Sequence, residues 1–586
     1  MEEIPVWSNE NLYPSFSSTA WLKDKKALGD AGRRLLRLLK PLATSSNLAE
    51  ALPELLKSFD KAYALAEHLG SAAYLSYSTN TRDETSLKEL NSIEELSLPL
   101  HDAEVRFSSL WGRLGSLKLL KRYPELQAYR LFLEEATTQS HHQMSEEEEA
   151  LAADMLRSGA DAWGRLQEAL SSTLTRPWDG GTKTVTELRA LASSPERAVR
   201  EKAYHLELEA WASAEVPLAA ALNGVKGQAV TLNLRRKWPD PIEQSAQQSR
   251  LSRPALEAML AAMKENLPVF RRYLGIKARL LGVPRCAFYD LFAPVGSGPS
   301  FSFEEARQVI REAFSGFSPA MGAFADLAFE RRWIHARPQE GKTGGAYCIN
   351  LPLAKEPRIF SNFDGSFGEV KTLAHELGHG WHYWLLRHKP QVWRDYPMTL
   401  AETASIFAET ILQDAALKSA TGPQTLFMLE QSLQDSTQVI VDILSRYTFE
   451  KALFEERRQG ELSPRELSQM MREAQLATYG DGLDEQYLHP YMWAVKGHYY
   501  HHGLAFYNYP YAFGQLFGLG LYARAREEGP EFARTYQRLL EGTGILTADQ
   551  LAREAGFDLT TPDFWRSGLQ LIASTVDDLE RRSHEN

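Results

Sequence analysis

The sequence predicts a mainly α fold, and three observations carry that expectation. Long stretches at 48–69, 145–173 and 253–281 set Leu, Ala and aromatic residues three and four positions apart among charges, the spacing that lines one side of a helix. Helix-start signals recur: Ser145 with Glu148, and Ser366 with Glu369, each spell a capping box, in which a hydroxyl and a carboxylate satisfy free N–H groups of a first turn. Strand signals are scarce. The best are 344–350 and 357–363, two short extended segments joined by a loop. They stand directly before the helix that opens at Ser366, so a small β-sheet is expected beside that helix.

Glycine and proline fall between the periodic stretches as punctuation. The acidic run 146–149 follows Ser145 and reads as a helix start. The turn-rich segment 176–182, Arg-Pro-Trp-Asp-Gly-Gly-Thr, closes a long helix and suggests an N-terminal helical region over 1–190 and a larger region over 191–586. The irregular segment 293–299 reads as a surface loop. With 44% hydrophobic and 24% charged residues among 586, the chain has the composition of a soluble globular protein with ample core material. A net charge of −11 argues against nucleic acid or acidic membranes as partners, since either wants a basic face. Two cysteines, Cys286 and Cys348, suit a reducing compartment. The N-terminus is acidic and lacks the basic-then-apolar pattern of a signal peptide. No run of about 18 apolar residues could span a membrane. The expected location is the cytoplasm.

Residues 372–382, Thr-Leu-Ala-His-Glu-Leu-Gly-His-Gly-Trp-His, contain His-Glu-x-x-His. On a helix His375 and His379 lie about 40° apart around the axis and roughly 6 Å along it, so both imidazoles reach one cation. Glu376 sits beside that face, where a carboxylate can hold a water at the metal and take its proton. The pattern predicts one zinc ion and hydrolysis of a carbonyl substrate. An open position for water implies a third protein ligand. His382 lies about 10.5 Å beyond His375 along the axis, too far to close the same site, and reads as packing or as support for a ligand. Glu402 is the better candidate, on a downstream helix that also carries Glu409. Thr399 with Glu402 also spells a capping box, so these residues alone leave Glu402 open between ligand and helix start.

Residues 360–382, Phe-Ser-Asn-Phe-Asp-Gly-Ser-Phe-Gly-Glu-Val-Lys-Thr-Leu-Ala-His-Glu-Leu-Gly-His-Gly-Trp-His, resemble the M3 family of metallopeptidases. The likeness is to the oligoendopeptidase F branch, related to thimet oligopeptidase. It implies Glu402, in Glu-Thr-Ala-Ser, as the third zinc ligand, and Glu409 as a group that orients a ligating histidine. Residues 498–514, His-Tyr-Tyr-His-His-Gly-Leu-Ala-Phe-Tyr-Asn-Tyr-Pro-Tyr-Ala-Phe-Gly, continue the likeness. There it implies His498 and Tyr511 as donors to the oxyanion and the substrate backbone. The spacing departs from the thimet-like pattern by about one residue, which leaves Tyr500, Tyr507 and Tyr509 all open as a second substrate-binding tyrosine. The resemblance covers about residues 120–580 and implies two helical lobes around a deep substrate channel with the metal helix on its floor. Its strand segment before the motif makes Gly345 and Ala346 candidates for the substrate backbone.

The expected activity is zinc-dependent cleavage inside short unstructured peptides, with oligopeptides as partners. A peptidyl-dipeptidase or carboxypeptidase is the alternative within the enzyme class, and a non-catalytic peptide-binding protein the alternative outside it. An intact Glu376 speaks against the latter, because a binder needs no base.

Overall fold

Helices form where the periodic stretches stand, and their caps explain where they begin and break. The computed structural model describes residues 4–584 apart from residue 10 and residues 45–47. Ser145 caps Glu146–Ser158 with both halves of the capping box formed: its hydroxyl accepts from Glu148 N at 3.2 Å, and the Glu148 carboxylate accepts from Ser145 N at 3.1 Å. The stretch 145–173 is two helices, because Gly159 interrupts it before Ala160–Thr173. Likewise 253–281 divides into Arg253–Glu265 and Leu267–Leu280, since Pro268 lacks the N–H that a continuous helix would use and instead sits in a new first turn.

The turn-rich segment after residue 174 is a β-hairpin. Thr175–Trp178 pairs antiparallel with Gly181–Thr184, and Asp179 and Gly180 take φ of 45° and 84° at the turn, the Asp-Gly signature of tight hairpins. The expected small sheet has three strands. Glu356–Phe360 lies in the middle, parallel to Ile334–His335 and antiparallel to Tyr347–Leu351. Among the described residues, Tyr347–Leu351 therefore has a strand partner along one side only.

The chain forms two compact units that alternate along the sequence. The first comprises residues up to Gln143, Pro299–Lys418 and Arg524–Phe557; the second comprises Met144–Gly298, Ser419–Ala523 and residues from Asp558 onward. The division suggested near residue 190 falls inside the second unit.

In the first unit, Leu52, Leu56, Phe59, Phe107, Trp111 and Leu133 make one apolar core among the N-terminal helices. Trp21, Leu69 and Ala73 make another, which takes in Leu351 of the sheet. Arg358 of the middle strand, 1% exposed, donates to Ser8 O and to the side-chain oxygens of Asn9 and Asn11 at 2.9–3.1 Å. A buried guanidinium persists only where its donors are met. The N-terminal segment is thus fastened to the sheet that adjoins the motif helix. In the second unit a buried Lys277 bonds Glu430 at 2.6 Å and Gln434 at 2.8 Å, both on the helix Gly422–Thr437. That helix runs into a π-helical turn, Gln438–Asp442, followed by Ile443–Arg457. Among the described residues no helix is long and apolar enough to cross a membrane.

Candidate metal centre and active site

The motif helix runs Phe367–Leu386 and starts where the sequence predicts. Asp364 Oδ1 accepts from Ser366 N at 2.8 Å, Gly365 turns the chain at φ 87°, and the Ser366 hydroxyl accepts from Glu369 N at 3.3 Å. Val370, Leu373, Ala374 and Leu377 bury one side of the helix. His375 and His379 project from another, each a little over one-fifth exposed.

The second helix, Met398–Ser419, begins one residue before Thr399, so Thr399 lies inside it, fully buried. The Glu402 carboxylate is turned to the histidines. His375 Nε2 and His379 Nε2 are 3.1 Å apart, and Glu402 Oε2 lies 3.3 Å from the first and 3.5 Å from the second. These three residues form a group whose donor atoms could share one metal ion. Ser405 Oγ donates to the same Glu402 oxygen at 2.7 Å and fixes its rotamer. The two imidazoles outweigh the cost of burial and hold the Glu402 carboxyl well below its ordinary pKa.

Around this group the charges are ordered. Glu409 Oε1 lies 2.5 Å from His375 Nδ1 and keeps a proton there, so Nε2, once a cation displaces its proton, is the atom that would ligate. Lys371 Nζ approaches the other Glu409 oxygen at 3.5 Å. Burial opposes the charge on Glu409, but Lys371 and His375 prevail and keep its carboxyl below its usual range. Glu376 is 6% exposed, and burial raises its carboxyl pKa against the pull of the two histidines. With both imidazoles neutral, as ligation requires, three carboxylates against one lysine leave the site an excess of negative charge, which suits a divalent cation. His382 is elsewhere: its Nε2 is 2.7 Å from Thr543 Oγ1 and 3.2 Å from Leu540 O, and its ring stacks on Tyr396.

In the second unit, His498 lies in the short turn Gly497–Tyr500, and Tyr511 in the first turn of the helix Tyr509–Glu528. Tyr507 joins them, its hydroxyl 2.8 Å from that of Tyr511 and its ring centroid 5.7 Å from that of His498. Tyr509 does not: it is buried, and its hydroxyl donates to Ser249 Oγ at 2.8 Å. Tyr500 is also buried. Of the three tyrosines left open by the sequence, Tyr507 is the one beside His498. In the first unit, Gly345 (φ 79°) is exposed ahead of the strand Tyr347–Leu351, with open space where a side chain would stand. Its carbonyl accepts from Asn362 Nδ2 at 3.0 Å, and Ala346 follows it, partly buried.

The peptidase family M3 model matches residues 190–571, well over half of the sequence. The chain belongs to peptidase family M3. A further family model, Oligopeptidase F, matches residues 100–175 of the M3 peptidase. Oligopeptidase PepF of Bacillus subtilis is 24% identical to it over 98% of this chain and 87% of its own. Group B oligopeptidase PepB of Streptococcus agalactiae is 25% identical over 79% of this chain and 78% of its own. Among solved structures, oligoendopeptidase-F from Enterococcus faecium shares the fold at a TM-score of 0.71, with 18% identity over 96% of this chain and all of that one.

Several residues that shape the M3 peptidase's sites went unread in the sequence. A Cβ on Gly378 would stand 2.6 Å from Ala404 O and 2.7 Å from Ser405 Cα, so this glycine lets the helices that carry the histidines and Glu402 touch at the backbone. Gly380 serves the opposite side, where a Cβ would meet Phe324 at 3.0 Å and Ile359 of the sheet at 3.6 Å. The signal was present as the two glycines of His-Glu-Leu-Gly-His-Gly. Phe506 takes φ 56°, a costly value for a bulky residue, and its N–H donates to Glu450 Oε2 at 3.1 Å. Glu450 is held in turn by Lys226 at 2.6 Å, both of them buried. The carboxylate that meets this N–H lies 56 residues upstream, so no local pattern announces the bend.

Proposed function

We propose that this M3 peptidase is a zinc-dependent endopeptidase that hydrolyses internal bonds of short unstructured peptides. The convergence of His375, His379 and Glu402 carries the reading. Bonds of about 2.0–2.2 Å to a tetrahedral zinc would set ligand atoms about 3.3–3.6 Å apart, and the three separations here are 3.1, 3.3 and 3.5 Å. Two imidazoles and one carboxylate are also a donor set that zinc favours and magnesium or calcium does not.

Zinc, when bound, would polarise the scissile carbonyl and acidify a water. The remaining chemistry belongs to the chain. Glu376 takes the proton of the attacking water on a carboxylate oxygen and passes it to the leaving amine nitrogen. Its burial favours this, because a carboxylate of raised pKa is a stronger base. The likeness of residues 498–514 to the family supports His498 and Tyr511 as donors to the carbonyl oxygen as negative charge develops there. Tyr347–Leu351, with one side unpaired, offers backbone groups to an extended peptide, which would tolerate varied side chains. Two free cysteines fit a cytoplasmic setting.

The test is Glu376→Gln. It should keep near-stoichiometric zinc by metal analysis and lose turnover about 100-fold or more. Active protein without zinc, or undiminished turnover in the variant, would overturn the assignment.

A further inference from the structure

A buried hydrogen-bond chain in the second unit ends on His498. Tyr479 donates to Asp442 Oδ1 at 3.3 Å, and Asp442, the last residue of the π-helical turn, pairs with Arg446 one helical turn on. Arg446 Nη1 donates to Asn508 Oδ1 at 3.1 Å. A guanidinium only donates, so this contact decides which way the amide faces: its oxygen lies toward Arg446 and its NH2 toward His498. Asn508 Nδ2 is 2.7 Å from His498 Nε2. An amide NH2 also only donates, so Nε2 must accept, and the ring proton is on Nδ1. Burial, with the charges of Arg446, Lys226 and Lys496, lowers the His498 pKa to about 2, which keeps the ring neutral. A neutral imidazole whose Nε2 accepts has one donor left, Nδ1–H.

We propose that Asn508, oriented by Arg446 and Asp442, sets the tautomer of His498, so that Nδ1–H is the donor the ring offers to substrate. The inference rests on the reading of His498 as an oxyanion or backbone donor. Asn508 is a positioning residue, since it acts through the imidazole. Substitution by Asp makes the logic sharp: the side chain keeps its size and its Arg446 contact but can only accept. The proton should then move to Nε2, and Nδ1 would become an acceptor where the proposed role needs a donor.

The experiment uses zinc-loaded enzyme labelled with 15N-histidine, with His498→Gln to assign the ring. The wild-type spectrum should show His498 protonated at Nδ1 and bare at Nε2; a proton on Nε2 overturns the proposal. In Asn508→Asp the proton should shift to Nε2 and kcat should fall about 10- to 100-fold, with KM and zinc content unchanged. A purely structural role would instead leave the tautomer in place. Arg446→Met, which frees the amide to rotate, should mix the two tautomers, and Arg446→Lys should restore much of the wild-type pattern. Wild-type kcat in Asn508→Asp with the proton relocated refutes the proposal when His498→Gln is slow. If His498→Gln is as fast as wild type, the donor role of His498 has failed and the positioning role falls with it, a result the spectrum keeps separate from a wrong tautomer.

Discussion

Single side chains at the metal centre matter through the direction of a lone pair or a proton. His375 can ligate through Nε2 because Glu409 holds the proton on Nδ1 at 2.5 Å, and Lys371 keeps that carboxylate charged. Glu409→Gln preserves an acceptor but removes the charge that makes the imidazole a strong donor to metal. Zinc affinity, read by competition with a chelator, should fall about 10- to 100-fold; wild-type affinity would make Glu409 a bystander. Tyr511→Phe removes one hydroxyl and little else, and its partner Tyr507 stays in place. If the phenol meets the developing oxyanion, kcat should drop about 100-fold while zinc content holds. A rate near wild type would show that this hydroxyl takes no part in catalysis. That Glu409 orients a ligating histidine could be suspected from the family likeness, but which histidine could not. The Arg446–Asn508–His498 order could not, since 62 residues part the first two.

Between elements, the decisive quantity is how closely two helices approach. The motif helix and the helix Met398–Ser419 meet at Gly378, whose missing side chain lets backbone lie against Ala404 and Ser405, within one turn of Glu402. Gly378→Ala would force a methyl into main-chain atoms that cannot rotate away, so the helices must separate and carry the Glu402 oxygen from the imidazoles. The expected cost is about 1–3 kcal/mol of stability, and zinc affinity should weaken with it. Melting of chelated and zinc-loaded protein separates the two effects: an equal loss in both forms would show that the approach matters to packing alone. Local signals explain what was legible at this scale. Caps at Ser145 and Ser366 bond within three residues, so sequence reveals them. The Thr399–Glu402 pair spells the same signal but lies inside its helix, and the Glu402 carboxylate is turned to histidines 23 and 27 positions upstream. The Asp179-Gly180 hairpin was readable by its turn residues yet stood out only as a break between helices.

Across the whole molecule the sequence announced helicity, a small sheet and the metal motif, but not how the chain is apportioned. Both units are assembled from three separate stretches, and the crossings at 143, 298, 418, 523 and 557 carry no common composition. Contacts that bind distant stretches leave no periodicity. The N-terminal helices show the consequence: they could be placed only by length and helicity, whereas Arg358 and Leu351 tie that region to the sheet beside the motif helix. With that support Tyr347–Leu351 is held firmly, among the described residues one side is without a strand partner, and a Cβ on Gly345 ahead of it would meet only open space. An occupant that pairs with it must be extended and must bring unsatisfied N–H and C=O groups of its own. An unstructured peptide has both; a folded protein has them only after local unfolding. Internal cleavage of unstructured peptides, broad tolerance of side chains and little action on native proteins are therefore expected. The measurement is a ladder of unstructured peptides of increasing length, offered beside a folded protein with an exposed loop and read by mass spectrometry. Products should arise from internal bonds of the peptides while the folded protein persists. Rapid digestion of the folded protein would remove the requirement for an extended substrate, and release of terminal residues alone from every peptide would favour an end-trimming enzyme.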